Sequence, residues 1–541
     1  MKQGKLYILS VALIVALGGF VWGFDATVIS GAVPFIQKYF GLSGDRGDFL
    51  LGLAVSCLGW GVLGGTAVAG FFSDHFGRKK VLITTAVFFT GSALMSALTT
   101  HFSLFVFSRV LGGIAVGGAI LIAPVYIAEI SPPRSRGSMV SLNQLMIVLG
   151  ISASFFSNYF IHGVGENKWH WMLPLSDWLS RHQLGVGENN WRWMLGMDAV
   201  PAFLYFILLF AVPESPRWLF GKGQPERARE ILVKACGAGE AEQELRNIQQ
   251  SFTERSPSVG VSALFSRRMS FVIFIALAIA FFQQITGINA IFYYLPTIFV
   301  QAGGGTDAAF RQAVLVGLVN LFMTFIAIWW VDRLGRKPLL LIGATGMAIS
   351  LLTCSWAFHT ANYQLTDKSY AVLQENKVPA DFINDLKNSE KNVFATDKEF
   401  TASLEATFGS DRVKPYHDSL VTAALNIRAS LVLLAIIGFV ASFAISLGPV
   451  MWVLLSEIFP NQYRGMAISL AGFWNSAISA SVTFIFPWEL SHLGTAGTFL
   501  GYGLMAVAAL IFVAIFIPET KRKTLEELEG ILMRRERSPK Q

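Results

Sequence analysis

The sequence predicts an all-α membrane protein: twelve transmembrane helices in two pseudo-symmetric six-helix halves, with short cytoplasmic helices between them. Three observations lead there. Of 541 residues, 53% are hydrophobic and only 14% charged, whereas soluble domains carry roughly 25% charge. Apolar runs long enough to cross a bilayer, ~20 residues each, recur twelve times. Three motifs of the first half return in the second half in the same order, as in a duplicated unit.

The runs fall at 7–33, 48–72, 80–99, 103–129, 137–161, 192–212, 269–300, 309–331, 338–358, 428–457, 464–487 and 496–517. An even number puts both termini on one side. Arg78, Lys79 and Lys80 follow span 2, Arg134 and Arg136 follow span 4, and Arg333, Arg336 and Lys337 follow span 8. All lie on the N-terminal side, which the positive-inside rule makes cytoplasmic. The basic lead Lys2 and Lys5 before a long apolar run reads as a retained first span, not a cleaved signal peptide. The net charge of +7 comes from these clusters at the ends of apolar runs, so no nucleic-acid partner is expected. Cys57 and Cys354 lie in apolar runs and Cys236 in a polar one, which suggests neither a disulfide framework nor a metal site. No GKS or GKT sequence is present, so ATP drive is not expected. No cofactor is expected either, and nothing points to an enzyme.

The repeats define the organisation. Asp74-His75-Phe76-Gly77-Arg78-Lys79 returns as Asp332-Arg333-Leu334-Gly335-Arg336-Lys337. Ala128-Glu129, with Pro132 and Arg136-Gly137 after it, returns as Ser456-Glu457 with Pro460 and Arg464-Gly465. Pro213-Glu214-Ser215 returns as Pro518-Glu519-Thr520. The expected units are an N-terminal half 1–212, a helical linker 213–268, a C-terminal half 269–518 and a tail 519–541. Asp74 and Glu129 are 55 residues apart, but Asp332 and Glu457 are 125 apart. The surplus falls in the polar stretch 359–427, an insertion on the outer face. A smaller surplus before Pro213 is a tandem copy: Gly163-Val164-Gly165-Glu166-Asn167 returns as Gly185-Val186-Gly187-Glu188-Asn189, each followed by Trp-x-Trp-Met. Both read as tolerated surface insertions. Within the linker, 225–235 and 240–250 have helical periodicity and mixed charge, the pattern of a solvated face.

Two constellations carry chemistry. Phe281–Tyr294 reads FFQQITGINAIFYY and keeps Gln283, Gln284, Thr286 and Asn289 inside an apolar run. Polar side chains at that depth line a cavity or bridge packed helices. At 100° per residue Gln283, Asn289 and Tyr293 lie broadly on one side, with Gln284 beside them. Amides both donate and accept hydrogen bonds, which suits a neutral polyhydroxylated solute; interhelical bonding is the competing use. The second constellation is Asp25 in span 1 and Arg109 near the start of span 4. A charge at mid-span costs ~3 kcal/mol on insertion scales, so the two are expected to pair. A motion that changes their separation changes the proton affinity of the carboxylate; a static ion pair is the alternative. Gly112, Gly113, Gly117 and Gly118 of span 4 read as close helix packing, not a phosphate loop.

Taken together, Gly31 after Asp25, the two GRK-type loops, Arg109-x-Leu-Gly-Gly, Pro213-Glu-Ser-Pro-Arg-Trp, Gln283-Gln284-x-x-Gly-x-Asn289 and Pro518-Glu-Thr-Lys resemble the sugar porters of the major facilitator superfamily. The likeness covers the whole chain except the two insertions. The tract Ala444–Glu457 is similar to that of the bacterial D-xylose:proton symporters. The resemblance implies the major facilitator fold, a site between the halves near mid-membrane, and alternating access. It implies sugar contacts from Gln144, Gln283, Gln284, Asn289, Tyr293, Asn320 and Trp452, with Trp22 as a further candidate. It aligns Phe473 with a glutamine of the symporters, a departure that removes a polar contact. It makes Asp25, with Arg109, the proton-coupling pair. It suggests a cytoplasmic gate of Asp74, Arg78, Asp332 and Arg336 with Glu129, Arg136, Glu214, Glu457, Arg464 and Glu519, whose pairs part when the inside opens. The expectation is a monomeric importer in a bacterial inner membrane, with a monosaccharide and protons as its partners. Other sugars (galactose, arabinose, glucose or inositol), uncoupled uniport, and a sensor without flux remain alternatives.

Overall fold

A computed structural model of the chain describes residues 2–132, 135–166, 189–253, 269–375, 378–389, 392–394, 397–460 and 463–521. Twelve helices among them are long and apolar enough to cross a membrane: Leu6–Tyr39, Gly44–Phe76, Arg78–Leu98, Phe102–Ile130, Arg136–Gly165, Asn190–Leu209, Ser270–Tyr293, Thr306–Val331, Arg336–His359, Ala429–Ile458, Arg464–His492 and Gly494–Phe516. These are spans 1–12, and each matches one apolar run of the sequence. Span 1 runs on to Tyr39 through Pro34. Its last turn is polar and basic, so hydropathy alone stops short of it. Span 6 bends at Met197–Asp198, between helices Asn190–Gly196 and Ala199–Leu209. The end of the bundle bearing both termini is the basal end, and the other is distal.

Span 4 packs through its glycines. A Cβ on Gly113 or Gly117 would strike the backbone of span 2; one on Gly112 or Gly118 would strike Ser92 or Thr85 of span 3. Small residues let backbones approach where apolar burial gives helices no preference for each other over lipid.

The halves meet unevenly. One apolar core runs from the C-terminal half into the distal part of the N-terminal half, through Val28, Ile36, Leu51, Phe105, Phe155 and Trp191. The basal part of the N-terminal half keeps a separate core around Leu82, Phe89, Tyr126 and Tyr205. Distal contacts across the halves are close: Phe49 against Phe484 at 5.2 Å, His162 stacked on Phe310 at 4.6 Å, and Ser152 Oγ donating to Gly317 O at 2.8 Å. Among the described residues, these contacts join the halves towards the distal end.

Between the halves lie helices Pro216–Gly221, Pro225–Cys236 and Ala238–Thr253; 254–268 fall outside the described residues. The insertion is a folded unit. The two-residue strands Asn362–Tyr363 and Leu425–Asn426 pair antiparallel and close off helices with a core of their own, including Leu373, Phe382, Leu386, Phe400 and Val413. Of the tandem repeat, the first copy lies largely outside the described residues. The second is structural: Trp191 is fully buried, and Arg192 donates to Ala97 O and Thr99 O at the end of span 3.

Candidate functional site

Span 7 is not one helix. It runs Ser270–Ile285, breaks at Thr286–Gly287, and resumes as Ile288–Tyr293 and Leu295–Gln301. Gly287 has φ +86, a left-handed conformation that glycine adopts without penalty. Span 10 breaks too, at Ser446, between Ala429–Ile445 and Leu447–Ile458. The breaks meet: Gln283 Nε2 donates to Leu447 O at 2.8 Å and Gly448 O at 3.3 Å.

From there the amides form one network. Asn475 of span 11 donates to Gln283 Oε1 at 2.7 Å and to Ala280 O at 3.0 Å. Gln284 Nε2 donates to Asn475 Oδ1 at 3.0 Å and Gln283 Oε1 at 3.3 Å. Asn289 Nδ2 donates to Gln284 Oε1 at 2.9 Å and Ser479 Oγ at 2.7 Å. Gln283, Gln284 and Asn475 are all buried. Each amide is fixed by its neighbours, so the cluster is a preorganised set of donors and acceptors. These bonds are the interhelical bridging that the sequence offered as one use of these amides.

Asn475 was not singled out from the sequence. Phe473 lies two residues away, about 200° around the helix. It shares the face that further along carries Ala480 and Phe484 against span 2, and it is about half exposed. Span 11 supplies the amide of Asn475 to the cluster. Among the described residues, the other predicted sugar residues are placed as follows. Tyr293 packs against both cores and Trp22 against the N-terminal one. Gln144 is half-buried beside buried Asn143 in span 5, and Asn320 is buried in span 8, one turn from Gly317. Trp452 leans on span 11 at Gly472.

Within the N-terminal half, Arg109 pairs with Asp25 through Nη1 and donates from Nη2 to Asp25 O at 3.1 Å. Both side chains are buried, and among the described residues Asp25 Oδ2 and Arg109 Nε have no hydrogen-bond partner. A second buried carboxylate, Asp198 at the bend of span 6, interacts electrostatically with both. The site thus holds two acids and one base. The sequence reading missed Asp198 because it lies beside the tandem Trp-x-Trp-Met tract, close to a span end. Its signal was available: an acid between apolar Met197 and Ala199 in a run that continues for a dozen residues.

The repeated basal motifs form two matching clusters. Arg78 donates to Glu129 from Nε and Nη2 at 3.0 and 3.1 Å, and Arg336 Nη2 donates to Glu457 at 2.7 Å. Glu214 accepts from the backbone N–H groups of Arg78 and Lys79; Glu519 accepts from those of Arg336 and Lys337. Ser215 Oγ donates to Glu129, and Thr520 Oγ1 to Glu457. Burial pushes the Glu214 carboxyl above the usual range, with three backbone N–H groups and Arg78 pulling the other way. Asp74 adds a largely exposed contact to Arg78 at 3.1 Å. Arg136 pairs with Glu244 of the linker, and Arg464 donates to Phe459 O. The side chain of Asp332 lies outside the described residues. Each arginine–glutamate pair joins elements of a single half.

The family model "Sugar (and other) transporter" matches residues 11–373 and 419–532. The chain is 34% identical to the D-xylose-proton symporter of Escherichia coli K12, covering 98% of this chain and 96% of that one. It is 31% identical to the arabinose-proton symporter of Bacillus subtilis, over 97% and 95%. The inward open conformation of the xylose transporter XylE from E. coli superposes with a TM-score of 0.71 at 32% identity, covering 97% of this chain and all of that one. Its complex with 6-bromo-6-deoxy-D-glucose gives 0.68 at 33%. Twelve spans in two repeated halves, a polar cluster at paired helix breaks and a near full-length match agree: the chain belongs to the sugar transporter family of the major facilitator superfamily.

Proposed function

We propose that the protein imports a monosaccharide, D-xylose or a closely related sugar, together with protons. Its relatives include xylose- and arabinose-proton symporters. The observation that carries the reading is the division of labour between the halves. The C-terminal half holds a neutral amide cluster with hydroxyl-matching chemistry. The N-terminal half holds a buried acid–base group with an unsatisfied carboxylate oxygen. Gln283, Gln284, Asn289 and Asn475 bind sugar hydroxyls. Trp452, Tyr293 and Trp22 supply apolar faces for a sugar ring, and Gln144 and Asn320 close the site from spans 5 and 8. Asp25 takes the proton; the charge lost on protonation loosens its hold on Arg109, so that the arrangement of span 1 against span 4 depends on the proton. Rocking of the halves carries both ligands across.

The basal clusters brace each half as a rigid body during rocking. Their arginines and lysines support placing the basal end in the cytoplasm of a bacterial cell, with both termini inside an inner membrane. The transporter works as a monomer, since each chain contains both halves of the site.

The test is D-xylose uptake into proteoliposomes with and without an inward proton gradient, alongside competition by unlabelled arabinose and glucose. Gradient-dependent accumulation is the expected result. Equilibration without accumulation would make Asp25–Arg109 a structural pair in a uniporter.

A further inference from the structure

The bend of span 7 has a backing that lies outside the amide cluster. A Cβ on Gly287 would stand 2.5 Å from Cδ2 and Cε2 of Tyr502, so the ring of this span 12 residue occupies the space that the missing side chain leaves. Tyr502 is buried. Its hydroxyl donates to Glu489 Oε2 of span 11 at 2.7 Å. Its ring stacks on Phe486, centroids 6.2 Å apart, and Phe486 in turn packs on Tyr294 at 4.9 Å. Span 11 therefore grips span 7 on both sides of the break. Asn475 and Ser479 hold the amides, Phe486 holds Tyr294 beyond them, and Glu489 pins the tyrosine behind Gly287.

We infer that Tyr502 and Glu489 are positioning residues for the sugar site. They set the bend at Gly287, and with it the placement of Gln283 and Gln284 on one side of the break relative to Asn289 on the other. Neither residue reaches the amides; they act through the backbone of span 7. The hydrogen bond matters because the ring alone could slide off Gly287, whereas a hydroxyl tied to span 11 fixes its rotation and depth. Asn289 spans the junction by bonding both Gln284 and Ser479, so a change in the bend strains these bonds and alters how the cluster meets a sugar.

This inference rests on the sugar-site reading, and one experiment separates the two. D-xylose exchange is measured in proteoliposomes for wild type, Gln284→Ala, Tyr502→Phe, Glu489→Ala and Glu489→Gln, with melting temperatures on the same preparations. Tyr502→Phe keeps the ring and Glu489→Gln keeps an acceptor, so at least these two are expected to fold. The expected result is a five- to tenfold rise in KM for Tyr502→Phe and Glu489→Ala, with Vmax within twofold. Glu489→Gln should stay within twofold in KM, because an amide oxygen can still accept from the tyrosine. If Gln284→Ala raises KM and Tyr502→Phe does not, or if Tyr502→Phe lowers Vmax or the melting temperature with KM unchanged, the positioning role is overturned. If Gln284→Ala itself leaves KM unchanged, the sugar-site reading fails first.

Discussion

At the scale of single residues the decisive groups are buried polar atoms whose partners lie on other spans. Asp25→Asn removes the titratable group while keeping nearly the same shape. The expected outcome is loss of gradient-driven accumulation, the internal-to-external sugar ratio falling to about 1, with sugar exchange retained. Accumulation by the mutant, measured at a fixed inward proton gradient, would remove Asp25 from the coupling. Asn475→Ala strips two hydrogen bonds from Gln283 and Gln284. Leaving buried amides unsatisfied costs ~1–3 kcal/mol, so sugar affinity should fall roughly tenfold; Phe473→Gln should change it less than about twofold by the same binding assay. These two residues also show the limit of the sequence. Gln283, Gln284 and Asn289 were legible because amides inside an apolar run are conspicuous. Asn475 sits next to two large aromatics that drew the alignment, and only the direction of its side chain shows that it belongs to the cluster. Asp25 and Arg109 were legible as the acid and base that each needed a partner. Asp198 was hidden because an acid near a span end usually reaches water, and here span 6 bends and buries it.

At the scale of elements, the twelve spans were legible almost to their ends because hydropathy and length depend on the bilayer alone. The breaks in spans 7 and 10 were not, since a glycine in an apolar run signals close packing as often as a turn. The basal loops are the exception, where repetition exposed a shared design. Gly77 and Gly335 have φ of +100 and +99, and the carboxylates of Glu214 and Glu519 fill the space where each Cβ would lie. An alanine at either place meets both backbone strain, which costs ~1–3 kcal/mol, and a charged neighbour. Gly77→Ala and Gly335→Ala should each lower the melting temperature by several degrees, read by thermal unfolding in detergent. Glu214 adds a pH signature. Its folded-state pKa is raised, so the folded state binds the proton more tightly than the unfolded one. The penalty for carrying the charge is fully present above the folded pKa, shrinks as pH falls through it, and is gone below the unfolded value. Glu214→Gln should therefore gain stability relative to wild type as pH rises through that window, and a difference independent of pH would show that burial of Glu214 does not control its titration.

At the scale of the whole molecule, two repeated bundles meet towards the distal end, and the insertion 359–427 adds a unit with a core of its own. Its place was legible from the unequal spacing between repeated motifs, but its structure was not, because five short helices of mixed charge leave no strong periodicity. It folds around its own core, and its outward charge is locally answered: Arg412 lies between Asp381 and Asp385 at 3.2 and 3.0 Å and over the ring of Phe382. The family match omits 374–418, so the transport machinery common to the family does not include this segment. The two ends are already side by side, with Asn362 opposite Asn426 and Tyr363 opposite Leu425, where antiparallel partners stand about 5 Å apart. Gln364 N already donates to Ala424 O at 2.8 Å, so removing 365–423 and joining Gln364 to Ala424 through Asn-Gly asks for a two-residue hairpin turn closing a hydrogen-bonded pair. No element of the amide cluster or of the Asp25 group is disturbed. The shortened protein should keep sugar uptake within about twofold of wild type and unfold at nearly the same temperature. A loss of uptake with normal unfolding would mean that the insertion takes part in the transport cycle, whereas a joint loss of both would mean that the pairing of spans 9 and 10 depends on it.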